Sequence, residues 1–151
     1  EGKKYTWDYD IRQADGTKSY MTDVQAVIGL GQLRRLPELI ARRQECQRRY
    51  NEAFRGKPWF KEPMYSYTVQ YYTPQFDNRN ELSEWLADKG IATSVHFKPL
   101  SEMSYWKKAV KSPLPITNKI WLNLLTLPVF SSITDKEIDH IIKEVLAFYE
   151  R

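Results

Sequence analysis

The C-terminal segment carries the helix pattern that most limits how this chain can fold. Thr134 and Glu137 have the spacing of a capping box, in which a hydroxyl and a carboxylate bond the free backbone N–H groups of a helix start. Apolar side chains then recur every three or four residues: Ile138, Ile141, Ile142, Val145, Leu146 and Tyr149. Such a stripe must be covered by the rest of the chain. The sequence therefore predicts a core built on an amphipathic C-terminal helix.

Other helix signals precede this one. Thr22 and Gln25 form a second capping box, which begins an opening pair of helices that could be a lid or an interface element. Pro37 predicts the first turn of another helix, because proline is favoured at that position. Asn78 is expected to cap a short helix, and Thr117 one more.

Strand signals alternate with these helices. Residues 64–73 and 91–97 alternate side-chain types, which is typical of half-buried strands. The apolar run 124–130 contains Pro128 and is predicted to be an edge strand, since proline cannot donate to a sheet. The order of elements predicts an α/β fold of α+β type, with a short sheet covered by helices.

Composition limits the class of protein. The chain has 151 residues, 42% of them apolar, with 10 Tyr, 6 Phe and 5 Trp, so it can bury a core. It has no apolar run near the roughly 20 residues that a membrane helix needs and no visible signal peptide. Its one cysteine, Cys46, lacks an internal partner, and we expect it to be inert. These features favour a cytoplasmic protein.

The one cluster of charge is basic, within a net charge of +4. Its six arginines are Arg34, Arg35, Arg42, Arg43, Arg48 and Arg49. Such a cluster could bind the phosphates of a nucleic acid. Glutamates at 38, 45 and 52 interrupt it, however, so a solvated helix with ion pairs is the favoured interpretation.

Three stretches, in the same order, carry a resemblance to a known family. They are Gly16 to Leu33 (GTKSYMTDVQAVIGLGQL), Gly90 to Leu100 (GIATSVHFKPL) and Leu127 to Glu137 (LPVFSSITDKE). Together they resemble the C-terminal part of the DegT/DnrJ/EryC1/StrS family of pyridoxal-phosphate-dependent aminotransferases, which act on nucleotide-linked keto-sugars.

The resemblance implies the small C-terminal domain of a fold-type-I aminotransferase. Residues 1–21 would be the crossover from a large domain that lies upstream, and residues 22–151 the small domain. The family's large domain carries the lysine that forms the Schiff base, and no match to it is found in this sequence. The resemblance thus implies a fragment that is inactive alone and that contributes the rim of the substrate site and dimer contacts.

The resemblance also implies a role in holding the cofactor. In the family, the loop before the first small-domain helix reaches across the dimer towards the neighbour's pyridoxal 5'-phosphate. Lys18 stands where that loop usually has Asn, and Tyr20 where it has Arg. Lys18 could bind the phosphate as a point charge or could be a solvated loop residue.

His96 and Lys98 are the substrate-binding candidates that the resemblance implies at the rim of the site. An imidazole can hydrogen-bond a sugar hydroxyl or a phosphate, but His96 could equally be a structural histidine bonded to a backbone carbonyl. His140 lies off the apolar stripe and is predicted to be on the surface. No spacing typical of a metal site is present, so none is predicted.

The leading hypothesis is therefore part of an enzyme that moves an amino group from glutamate to a nucleotide-linked keto-sugar. Its expected partners are those substrates and either a second copy or a large domain. A non-catalytic binding or regulatory module of the same fold is the alternative, and a nucleic-acid-binding domain that uses the arginine-rich helix is the third.

Overall fold

Four helices and a small antiparallel sheet make up the part of the chain that the structure, a computed structural model, describes: residues 19–63, 70–102 and 112–151. The helices are α1 (Asp23–Phe54), α2 (Arg79–Asp88), α3 (Pro115–Asn123) and α4 (Asp135–Glu150). The strands are β1 (Phe60–Lys61) and β2 (Gln75–Phe76), and a 3₁₀ turn covers Leu100–Glu102. This helix-rich architecture with a short sheet confirms the predicted fold class.

Contacts divide the chain into two units between Arg35 and Leu36. In the first unit the described residues are 19–35, and the Thr22–Gln25 capping box forms as predicted: Gln25 Oε1 accepts from the Thr22 N–H at 2.9 Å. Large apolar side chains of this unit lie in solvent, among them Val24, Val27 and Ile28, each more than 60% exposed.

Helix α1 is continuous through Pro37, so the prediction of a second helix starting there is wrong. Proline has a φ close to the helical value, and within a helix it removes one backbone donor. The α1 residues that face the core of the second unit follow later in the helix, where Cys46, Tyr50 and Phe54 are fully buried.

The core of the second unit is rich in aromatic side chains. Phe54 lies within 6 Å, centroid to centroid, of the rings of Trp59, Phe60 and Phe76. The last two are also cross-strand partners, since β1 and β2 pair Phe60 with Phe76. Helices α2 and α4 pack against each other, and α4 buries Ile138, Ile141, Val145 and Phe148.

The capping predictions have mixed outcomes. The Thr134–Glu137 box is confirmed, because Glu137 N donates to Thr134 Oγ1 at 3.2 Å and Thr134 N donates to Glu137 Oε2 at 2.7 Å. Asn78 occupies the N-cap of α2, but in a left-handed conformation without a side-chain cap bond. Helix α3 begins at Pro115, so Thr117 lies inside it and does not cap it.

The predicted strands are only partly present. Of the predicted strand 64–73, residues 64–69 lie outside the described residues. In its described part, Tyr72 is buried and forms an antiparallel β-bridge with Leu127. Residues 91–97, all of which are described, form one isolated β-bridge, between Ser94 and Thr126. The run 124–127 is bridged by 72–75 on one side and by Ser94 on the other, so it is not an edge strand. Pro128 lies just beyond the bridges, where its missing N–H is not needed.

Candidate functional site

His96 lies in a cluster of rings at the surface of the second unit. The Tyr71 ring stacks on the imidazole, with centroids 3.9 Å apart and planes 17° apart. Phe97 meets the imidazole edge-on at 4.8 Å and is itself 65% exposed. The alternation predicted for 91–97 would put Phe97 on the same strand face as Ile91, but Ile91 is buried and Phe97 is not, so that part of the prediction is wrong.

The hydroxyl of Thr126 contacts one nitrogen of the His96 imidazole. His96 Nδ1 lies 2.8 Å from Thr126 Oγ1, and Thr126 is buried. The partner is a side-chain hydroxyl, so the structural interpretation of His96 as bonded to a backbone carbonyl is wrong. Nε2 of the ring has no hydrogen-bond partner among the described residues. One ring nitrogen is thus held by Thr126, and the other makes no hydrogen bond to the described residues.

A cavity adjoins this cluster. It has a volume of about 690 Å³ and lies between residues 90–94, residues 126–130 and the first half of α4. Tyr71 and Thr126, two of the side chains that contact the His96 ring, both line it. Its size is within the roughly 300–1,000 Å³ that small-molecule sites occupy.

Two of the polar side chains that α4 contributes to the cavity wall, Glu137 and His140, already have hydrogen-bond partners within the protein. Glu137 belongs to the capping box, and its hydrogen bonds from Thr134 lower the pKa of its carboxyl. His140 Nε2 lies 3.2 Å from the Lys89 carbonyl oxygen. His140 is exposed, as the sequence predicts, but it is also part of the cavity wall.

Side chains of α1 hydrogen-bond the backbone of two residues that line the cavity, Pro128 and Ile133. Tyr50 Oη donates to the carbonyl of Pro128 at 3.0 Å, and Arg42 Nε donates to the carbonyl of Ile133 at 3.1 Å. Cys46 is fully buried beside them, and burial raises the pKa of its thiol to about 11. A thiol with a raised pKa is a poor nucleophile, which agrees with the prediction that Cys46 is inert.

The remaining candidate residues are not brought to His96 by described contacts. Lys98 is two residues along the chain and exposed. Tyr20 is 76% exposed and belongs to the first unit. Lys18 lies outside the described residues.

The arginine cluster is used for ion pairs. Arg48 lies 2.7 Å from Glu45 and 2.5 Å from Glu52 on its own helix. Arg42 and Arg49 lie 2.9 and 3.0 Å from Asp135 at the N-terminus of α4, and Arg49 also pairs with Asp139. These contacts confirm the ion-pair interpretation and leave three of the six arginines neutralised by carboxylates.

Sequence reasoning missed Tyr71 and Thr126. A signal for Thr126 was present: it is the one hydroxyl in the apolar run from Leu124 to Phe130. A polar residue in a buried run needs a hydrogen-bond partner. Nothing in the sequence, however, indicated that the partner is His96, 30 residues earlier.

A sequence model of the DegT/DnrJ/EryC1/StrS aminotransferase family matches residues 2–146. The chain belongs to this family. The His96 cluster and the cavity lie within the matched residues, and the three stretches that carried the resemblance lie there too.

Individual relatives agree with the family assignment. The spore coat polysaccharide biosynthesis protein SpsC of Bacillus subtilis is 31% identical over 93% of this chain and 39% of its own length. The UDP-4-amino-4,6-dideoxy-N-acetyl-beta-L-altrosamine transaminase of Campylobacter jejuni is 30% identical over 70% of this chain and 30% of its own. The chain thus spans less than two-fifths of the length of these curated family members.

The fold is shared with a solved structure, the PLP-form of Spr1654 from Streptococcus pneumoniae. The two match with a TM-score of 0.79 and 31% identity, over 96% of this chain and 40% of that one.

Pyridoxal phosphate, which the DegT/DnrJ/EryC1/StrS family implies, is not accommodated by the described cavity wall. The cofactor needs a lysine for covalent attachment and an acidic group at its pyridine nitrogen. Among the lining residues that the structure describes, the lysine and the acid are Lys136 and Glu137, which are neighbours on one exposed helical turn. Glu137 is already held by Thr134. The described lining of this cavity therefore does not form a cofactor site by itself.

Within residues 19–63, 70–102 and 112–151, no three His, Cys, Asp or Glu side chains are grouped as they would be to hold a metal ion. The helices of the same ranges include none that is long and apolar enough to cross a membrane.

Proposed function

We propose that this chain is the C-terminal part of an aminotransferase that moves an amino group from glutamate to a nucleotide-linked keto-sugar. The family match over residues 2–146 carries the proposal. The chain contributes part of the substrate site and needs the larger, lysine-bearing part of such an enzyme for the reaction. Pyridoxal phosphate, when bound there, supplies the electron sink for amino transfer.

The substrate contacts that we propose are His96 and Lys98. His96 belongs to an aromatic cluster that adjoins the cavity through Tyr71, a surface suited to a sugar ring with its hydroxyl groups. Its Nε2 has no hydrogen-bond partner among the described residues. The exposed ammonium of Lys98 is two residues away and suits a phosphate oxygen of a nucleotide sugar.

For the first unit we propose association and a cofactor contact. Tyr20 is 76% exposed, and together with Lys18 it would contact the cofactor phosphate in the assembled enzyme. The solvent-facing side chains of Val24, Val27 and Ile28 would be covered by a large domain or a second copy. Apolar side chains that recur along one face of a helix favour such a covered surface.

The direct test supplies the purified chain with pyridoxal phosphate, glutamate and a UDP-linked 4-keto-sugar, and follows the amino sugar by mass spectrometry. We expect no product and no borohydride-trappable lysine adduct from the chain alone. Addition of a purified large domain of the family that contains the lysine should restore amino-sugar formation. His96→Ala should reduce it by raising KM, whereas Lys61→Ala, which alters an exposed side chain of β1 outside the cavity lining, is the control.

Two results would contradict the proposal. A trappable adduct on one lysine of the isolated chain would show that the chain carries its own cofactor site. No product with any large domain, together with a stable complex by light scattering, would favour the alternative of a non-catalytic module. The exposed face of α1 is the observation that keeps this alternative open.

A further inference from the structure

We infer that Thr126 is the positioning residue for His96 and that it holds the imidazole in the tautomer with hydrogen on Nε2. The geometry of the two side chains carries the inference. It rests on the proposed function only for the identity of the ligand, a nucleotide sugar that offers an acceptor oxygen.

The direction of the hydrogen bond follows from the hydroxyl proton. Thr126 is 8% exposed, and His96 Nδ1, 2.8 Å away, is the one hydrogen-bond partner of its hydroxyl among the described residues. If Nδ1 carried the hydrogen and donated it, the hydroxyl proton would be left in a buried place without an acceptor, which is unfavourable. When the hydroxyl donates to Nδ1, no buried donor is left over. The neutral ring then carries its hydrogen on Nε2.

The hydroxyl is itself held in place by the backbone. Thr126 N donates to the Ser94 carbonyl at 2.7 Å, and Ser94 N donates back at 3.3 Å. Leu125 and Leu127, on either side, are almost fully buried. A threonine side chain also has few rotamers, because it is branched at Cβ. The Thr126 hydroxyl is therefore fixed relative to Ser94, two residues before His96.

Two rings limit the remaining movement of the imidazole. Tyr71 covers one face at 3.9 Å, and Phe97 lies across its edge at 4.8 Å with an interplanar angle of 88°. With Nδ1 held by Thr126, the ring presents an Nε2–H donor in a fixed direction.

This arrangement determines what His96 does for a ligand. A neutral ring in this tautomer donates from Nε2 and cannot accept a proton there. His96 thus binds an acceptor oxygen, either a sugar hydroxyl or a phosphate oxygen, and does not act as a base through that nitrogen.

The test is a long-range ¹H–¹⁵N NMR spectrum of the chain at about pH 8.5, where an ordinary imidazole is neutral. The chain has two histidines, so His140 is an internal control. We expect widely separated ¹⁵N shifts for His96, with the pattern of the Nε2–H tautomer. Thr126→Val should shrink that separation towards the average of a tautomer mixture, and Thr126→Ser, which keeps the hydroxyl, should restore it. His140 should be unchanged in both variants.

An Nδ1–H pattern or a tautomer average for His96 in the unmodified chain would overturn the inference, whether or not Thr126→Val folds. An unchanged His96 pattern in a folded Thr126→Val would overturn it as well. Failure of amino-sugar formation with a normal Nε2–H pattern would instead count against the proposed function alone.

Discussion

The buried hydroxyl of Tyr72 should contribute measurably to stability. It donates to Asn51 Oδ1, and Asn51 Nδ2 donates in turn to Glu62 Oε1 at 2.7 Å. Tyr72 is 1% exposed and Asn51 8%. The substitution Tyr72→Phe keeps the ring contact with Tyr50 and removes only the oxygen. It leaves Asn51 Oδ1 buried without this donor.

An unsatisfied buried acceptor costs about 1–3 kcal/mol. For a chain of this length, each kcal/mol lowers the Tm by roughly 2–4 °C. We therefore expect Tyr72→Phe to lower the Tm by about 2–12 °C, with an unchanged denaturant m-value.

Urea unfolding followed by circular dichroism measures the change in unfolding free energy directly. The matched control is Tyr71→Phe, since among the described residues the neighbouring Tyr71 hydroxyl bonds only the exposed Gln70 amide, at 3.2 Å; its effect should be within about 0.5 kcal/mol. A double-mutant cycle with Asn51→Ala should show coupling of about 0.5–3 kcal/mol. If Tyr72→Phe behaves like Tyr71→Phe, or if the cycle is additive, the hydrogen bond does not stabilise the fold as argued.

Three further predictions concern the N-caps of α4 and α2 and the buried thiol of Cys46. Thr134→Ala should lower the unfolding free energy by about 0.5–2 kcal/mol through loss of the α4 cap, while exposed Ser132→Ala should not; equal losses would contradict this reasoning. Asn78 has φ 52° without a cap bond, so Asn78→Ala should destabilise by about 1 kcal/mol and Asn78→Gly should not; the reverse order in urea unfolding would refute it. Burial raises the pKa of Cys46 to about 11, so the folded state keeps that proton more tightly than the unfolded state. The resulting stabilisation is complete at neutral pH and is lost as the pH rises from roughly 8.5 through 11; in Cys46→Ala the decline of Tm over this range should be shallower, and identical slopes would argue against it.

Local patterns predicted part of the helical structure. The α4 cap and its apolar stripe, and the existence of α2, could be inferred because capping bonds and helix periodicity join residues three or four apart. The ion pairs of Arg48 were predictable for the same reason, as both partners lie within one turn of it.

Contacts between distant segments could not be obtained in this way. The sequence indicated His96 through a family resemblance, but the hydroxyl that holds it comes from residue 126 and the ring that covers it from residue 71. The run 124–127 was predicted as an edge strand from Pro128, and only the packed chain shows that it is bridged on both sides. Periodicity tells which face of a segment is apolar; which segments then meet, and in what register, is decided by the packing of the whole core.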